Sequence, residues 1–240
     1  MKAVILIPAR WASTRFPGKP LALIAGVSLI QRVVERASGS RRAAAVYVAT
    51  DDDRISDHVA GFGGRVVRPP GDFATGSDRI AAALDMIGEP FDQVVNVQGD
   101  EPLIDVSSID RVIEVLQIEG ADMATLACPL TTEEEYRSRD VVKVVITLTG
   151  QALYFSRAAI PHGGLHLAQR HIGLYGYQTA VLRALAGLPS SPLETAESLE
   201  QLRALQNGFK IQVLATERPH LGVDRPEDIA RVESELANHA

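Results

Sequence analysis

A chain of 240 residues is long enough to bury an α/β core without help from disulfides or a structural metal. Its 30 acidic against 24 basic residues give a formal net charge of −6, which argues against sequence-independent binding to nucleic acid. The single cysteine, Cys128, excludes an intrachain disulfide or a cysteine-cluster zinc site and points to a reducing, cytoplasmic setting. No secretory signal is seen ahead of a first strand that begins at residue 3, and no apolar run reaches membrane-spanning length, so no membrane partner is expected.

The short aliphatic run at 3–7 reads as a buried strand. It opens into a long loop carrying Arg10, Arg15 and Lys19, stiffened by Pro17 and Pro20. A helix is expected over 28–37, a strand over 45–50, a helix over 52–62 and a short strand over 65–68. Pro69-Pro70-Gly71-Asp72 forces a turn, and Thr75 with Asp78 caps a helix running to about 87. A strand over 93–97 ends in Gln98-Gly99-Asp100, followed by a helix over 107–118. This alternation predicts a doubly wound, mostly parallel sheet. After a strand over 123–129 the texture changes. Strands at 141–147, 152–155 and 173–177 follow without long helices between them, which reads as a smaller antiparallel subdomain inserted at about 130–190. Ser191-Pro192-Leu193-Glu194 carries an N-cap, a first-turn proline and a capping-box glutamate, so a helix is expected over 191–206. A strand over 210–216 and a helix opening at Asp224 and running to about 237 complete the chain.

In open parallel sheets the ligand lies beyond the carboxyl ends of the strands, where this reading puts the basic loop and Asp100. Three cations there suit a polyanion, although spacing alone equally describes an ordinary basic surface loop. A P-loop is excluded because Lys19 is followed by Pro20 rather than Ser or Thr, and no glycine fingerprint follows any expected strand. A carboxylate at 100 can hold Mg²⁺, which takes one or two protein carboxylates with phosphate oxygens and water. Asp224 is the second candidate, though its position equally suits an N-cap. Thr75 and Gly76 place a helix N-terminus where an anion would be welcome, or they simply cap it. Glu200 and Gln201 fall on a helix of solvated polar pattern and read as surface.

Taken together, Ile7-Pro8-Ala9-Arg10, Ser13-Thr14-Arg15, Pro17-Gly18-Lys19-Pro20, Asn96 to Pro102, Ala152 to Arg157, His171, Tyr175-Gly176-Tyr177, Leu199 to Arg203 and Gly222-Val223-Asp224 closely resemble the 3-deoxy-manno-octulosonate (Kdo) cytidylyltransferases over nearly the whole chain. The resemblance implies a nucleotide-sugar transferase-like α/β fold, a homodimer, and the reaction of CTP with Kdo to give CMP-Kdo and pyrophosphate for lipopolysaccharide synthesis. It implies that Lys19, Asp100 and Asp224 are catalytic, with Mg²⁺ on the two aspartates. Pro8, Ala9, Arg10, Lys19, Thr75, Gly76 and Arg79 would hold the nucleotide, and Arg15, Gln98, Arg157, His171, Glu200 and Gln201 the sugar acid. The stretch at 161–169 is shorter than is usual in that family. Cytidylyl transfer to 8-amino-Kdo or a sialic acid, and a nucleotide-binding regulator without turnover, are the alternative readings.

Overall fold

The computed structural model describes residues 1–12, 15–73, 75–117, 120–217 and 220–238. Ser13 and Thr14 of the basic loop, and the expected helix end at 118, lie outside them. The chain divides into two compact units, Met1–Asp110 with His220–Ala240, and Arg111–Pro219.

The first unit contains β1 (Ala3–Pro8), the two-residue strands β2 (Leu23–Ile24) and β3 (Val27–Ser28), α1 (Leu29–Ala37), β4 (Ala43–Ala49), α2 (Asp53–Gly61), β5 (Val66–Val67), α3 (Gly76–Ile87) and β6 (Gln93–Asn96); α4 (Val106–Val115) follows. Strands β5, β4, β1 and β6 lie side by side in that order, every pair parallel. Such strands are covered on both faces, which is why residues 3–7 are a continuous apolar run with every side chain buried. The order reverses at β1, with β4 on one side and β6 on the other. Leu6 pairs with Asn96, so the loops leaving β1 and β6 emerge as neighbours at this switch point. Ser28 caps α1 through its hydroxyl and Asp52 caps α2 through its carboxylate.

The second unit contains β7 (Met123–Pro129), α5 (Glu133–Arg137), β8 (Lys143–Ile146), β9 (Ala152–Ser156), β10 (Gln169–Gln178), α6 (Thr179–Ala186), α7 (Pro192–Glu197), α8 (Gln201–Gln206) and β11 (Ile211–Ala215). β11 runs parallel to β7. The β7–β10, β10–β8 and β8–β9 pairs are antiparallel. The short 161–169 stretch folds onto a small core of Leu130, Tyr136 and Ala168, with the Tyr136 hydroxyl donating to the Pro161 carbonyl. The chain then returns to the first unit with α9 (Asp228–Asn238).

Two expected helices are corrected. The capping box at Ser191 and Glu194 is present, but the helix expected over 191–206 breaks into α7 and α8 at Ser198, whose φ of 53° is left-handed. The cause is that the carbonyls of Glu197 and Ser198 accept from the Arg157 guanidinium, at 3.0 and 3.5 Å, instead of from the next helical turn. A buried fork joins the two pieces again: Arg203 Nε and Nη2 reach the Glu194 carboxylate at 2.9 and 2.6 Å, holding that carboxyl below its usual range. The terminal helix starts at Asp228 rather than Asp224, because the Asp228 carboxylate accepts the N–H groups of Asp224 and Arg225 and leaves the Asp224 side chain free for other partners. Helices α5 and α6 have no counterpart in the sequence reading.

Candidate active site

The loop after β1 is shaped by its glycine and its tryptophan. Gly18 has φ +72°, and a Cβ there would lie 3.0 Å from the Trp11 ring, so the loop folds over that ring while Arg54 stacks on it 3.4 Å from the centroid. This turn starts a short 3₁₀ segment, Lys19–Leu21, that aims Lys19 inward. Across the switch point, Gly99 approaches so closely that a Cβ would come within 2.8 Å of the Pro8 carbonyl oxygen. The result is an open crevice of about 250 Å³ lined by Pro8, Ala9, Arg10, Arg15, Lys19, Thr75, Gly76, Arg79, Gln98, Asp100 and Asp224, together with Pro20, Phe73 and Gly99. Every residue that the sequence assigned to the nucleotide or to the metal is in this set, along with two assigned to the sugar, Arg15 and Gln98.

Asp224 is brought here by the backbone, since Val223 N donates to the Asp100 carbonyl at 2.8 Å. Lys19 Nζ lies 2.7 Å from Asp100 Oδ2 and 3.9 Å from Asp224 Oδ1, and Arg15 Nη2 lies 3.1 Å from the same Asp224 oxygen. Asp100 Oδ1 and Asp224 Oδ2 have no partner among the described residues. Two carboxylates with an oxygen each to spare, beside three cations, fit a hard divalent ion completed by phosphate and water. They do not fit an all-protein cage, and among the described residues no group of three or more His, Cys, Asp or Glu could hold a metal.

Arg79 is the most constrained cation of the crevice. Its side chain is 7% exposed, and its Nη2 donates to Asp51 Oδ2 at 3.0 Å. Its Nη1 is buried with no hydrogen-bond partner among the described residues. Leaving such a donor unmet costs about 1–3 kcal/mol, and a ligand acceptor would recover it. Thr75 does cap α3, accepting from Asp78 N at 3.1 Å, so its hydroxyl is already engaged in holding the helix end against the crevice.

The other four residues assigned to the sugar, Arg157, His171, Glu200 and Gln201, fall in the second unit. The His171 ring packs edge-on to Phe155 at 5.0 Å and lies 5.3 Å from Tyr175, whose hydroxyl pKa is pushed well up by burial, with smaller contributions from Tyr177 and Glu200. Gln201 is buried, with Nε2 unpartnered among the described residues, which overturns its reading as surface; Glu200 is half-buried. His171 Nε2 is 3.0 Å from Thr125 Oγ1, which has one proton and faces the carbonyls of Ile172 and Leu174 at 3.1 and 2.9 Å. The hydroxyl therefore donates to a carbonyl and accepts from His171 Nε2–H. That network assigns the neutral tautomer with Nδ1 as acceptor, so the ring suits a substrate hydroxyl and not a carboxylate.

Burial pushes the His171 pKa down to about 3. The unfolded chain takes up this proton near the ordinary value of 6.5 and the folded chain does not, so the stability it contributes is complete above pH 6.5 and declines from there toward pH 3. Wild type should lose up to about 1.4 kcal/mol per pH unit from this group below pH 6.5, less to the extent that the ring keeps some contact with water. Urea melts at pH 7 and pH 5 test this, because His171→Asn should flatten the difference. Equal pH slopes in the two proteins would disprove it.

Sequence reasoning missed several participants. Asp51 orients Arg79; Glu101 and His220 form a buried pair, Nδ1 to Oε2 at 3.0 Å; Glu197 and Lys143 surround Arg157. Each belongs to a pair distant in sequence, and no local spacing marks it.

An α/β sheet with a cationic, carboxylate-bearing crevice at its switch point is the architecture of a nucleotidyltransferase. The chain belongs to the cytidylyltransferase family, whose model matches residues 4–211. A 3-deoxy-manno-octulosonate cytidylyltransferase of Syntrophotalea carbinolica is 50% identical over 98% of this chain and 99% of its own. An 8-amino-3,8-dideoxy-manno-octulosonate cytidylyltransferase of Shewanella sediminis is 47% identical over 99% of both. Among solved structures, a CMP:2-keto-3-deoxy-manno-octonic acid synthetase complexed with CTP matches with a TM-score of 0.94 at 37% identity, covering 100% of each chain. No helix among the described residues is long and apolar enough to cross a membrane.

Proposed function

We propose that this enzyme transfers the cytidylyl group of CTP to Kdo, giving CMP-Kdo and pyrophosphate, as a cytoplasmic homodimer that activates the sugar for lipopolysaccharide synthesis. The observation that carries the reading is the convergence of Lys19, Arg15, Asp100 and Asp224 in one crevice, in a chain related end to end to enzymes named for this reaction. In the reaction a sugar hydroxyl oxygen bonds to the α-phosphorus, the bond from that phosphorus to the β-phosphate bridge breaks, and the hydroxyl proton leaves. The protein's part is positioning and charge neutralisation, with no covalent nucleophile. Arg10 and Lys19 face the triphosphate, Arg15 and Gln98 the sugar acid, and the unmet Arg79 Nη1–H suits the acceptor edge of a pyrimidine. Asp100 and Asp224 would hold Mg²⁺, which when bound supplies Lewis-acid polarisation of phosphate oxygens. Arg157 takes the sugar carboxylate, and His171 Nδ1 accepts from a sugar hydroxyl.

The test is pyrophosphate release from CTP, which should require both Kdo and Mg²⁺. Release without an acid sugar, or none with it, counts against the reading. Relatives named for 8-amino-Kdo are 44–47% identical to this chain, inside the 42–50% span of those named for Kdo, so that sugar is the second reading. Competition between the two sugars decides, and the higher kcat/KM identifies the substrate. Sedimentation tests the homodimer.

A further inference from the structure

Arg157 is fastened through its backbone as well as its side chain. Its N–H donates to Glu197 Oε2 at 2.9 Å and its carbonyl accepts from Lys143 Nζ at 2.7 Å. Its Nε donates to the Glu197 carbonyl and its Nη1 to the Arg139 carbonyl, both at 3.0 Å, while Nη2 reaches the Ser198 carbonyl at 3.5 Å. One residue earlier, Ser156 Oγ donates to Glu197 Oε1 at 2.6 Å. Lys143 is fully buried and spends its other two protons on the carbonyls of Ser138 and Val141, at 2.7 and 2.6 Å. Among the described residues it has no carboxylate within ion-pair distance, and burial holds its pKa below the usual range. Sequestering an ammonium among neutral carbonyls is costly, and an apolar residue could fill the same volume, so packing alone does not explain it.

A guanidinium has five N–H groups. Three are directed at backbone carbonyls, which fixes the plane of the fork and leaves one on each terminal nitrogen, the pair that a carboxylate takes in a bidentate contact. The Glu197 carboxylate also controls the corner that follows. It ties the end of β9 to the left-handed turn at Ser198, from which Glu200 and Gln201 lead into α8.

We infer that Glu197 and Lys143 are positioning residues for acid-sugar recognition, holding Arg157 so that its two remaining N–H groups meet the sugar carboxylate in a fixed orientation. The inference rests on the reading of Arg157 as the carboxylate ligand. Glu197→Gln keeps the shape and removes the charge, and it should raise the KM for Kdo about tenfold, the scale of loss found when an orienting partner is removed. CTP affinity, measured by calorimetry without sugar, should stay at the wild-type value. Lys143→Met should shift KM in the same direction. Should either variant fail to fold, Ser156→Ala, which deletes one donor to Glu197, is expected to raise KM about threefold, roughly half of a full removal's effect on the free-energy scale.

The deciding measurement is the double variant. If Glu197 acts through Arg157, then Arg157→Ala combined with Glu197→Gln has the same sugar KM as Arg157→Ala alone; a merely structural tie would give multiplying effects. An unchanged sugar KM in Glu197→Gln, or multiplying effects in the double variant, overturns this inference while leaving the carboxylate role of Arg157 standing. An unchanged sugar KM in Arg157→Ala overturns both.

Discussion

Asp100→Asn should fold, melt close to wild type and turn over at least about a thousandfold more slowly, a loss of about 4 kcal/mol in transition-state stabilisation. The side chain stands just beyond the buried strand β6 and is 33% exposed, so an amide of the same shape disturbs no core packing. What it removes is the negative charge that faces Lys19 at 2.7 Å and that would hold a cation beside the scissile phosphate. Such a contact strengthens as charge develops during transfer, so the loss belongs mainly in kcat and much less in KM. Pyrophosphate release at saturating CTP and Kdo, with Mg²⁺ titrated upward, measures it. Near-wild-type turnover at high Mg²⁺ would remove Asp100 from the chemistry.

The parts legible in the sequence were those with a local signature. Strand β1 announces itself because a two-face-buried strand needs no polar alternation, and the caps at Thr75 and Ser191 are written within four residues. The first-unit crevice follows from these, because a parallel sheet sends the loops of Lys19 and Asp100 to one edge. What stayed hidden depends on partners far apart in the chain. The helical pattern over 191–206 is sound as a pattern, yet it breaks at Ser198 because Arg157, some forty residues earlier, takes the carbonyls at the break. Polar spacing placed Gln201 on the surface, whereas packing buries it. For His171 the resemblance supplied the residue and its place toward the sugar acid, but not whether it donates or accepts; the neighbouring Thr125 and its two carbonyl partners are what favour a ring that offers an acceptor. Lys143 enters the sequence reading only as part of the resemblance at Val142-Lys143-Val144, with no role attached, since a lysine between valines on a strand normally points to water.

Lys19→Ala should lower kcat/KM for CTP by at least about a hundredfold, about 2.7 kcal/mol, while the KM for Kdo changes little. The ammonium is held in place by the Gly18 turn and the short helix it opens, and its side chain is only 15% exposed, so salt screens it weakly. Among the described residues it is the one cation shared by Asp100 and Asp224, at 2.7 and 3.9 Å, so its removal has a double effect. The triphosphate loses a compact positive charge, and the two carboxylates lose the charge that offsets their repulsion of that same triphosphate. Lys19→Arg should not restore activity, because a longer planar fork cannot occupy the narrow point between Asp100 and Asp224 that a single ammonium fills. Calorimetric titration of CTP and steady-state titration of Kdo separate the two substrates. If both affinities fall together in a folded variant, Lys19 organises the whole crevice and is not a triphosphate contact; if CTP affinity alone collapses, the point charge belongs to the nucleotide.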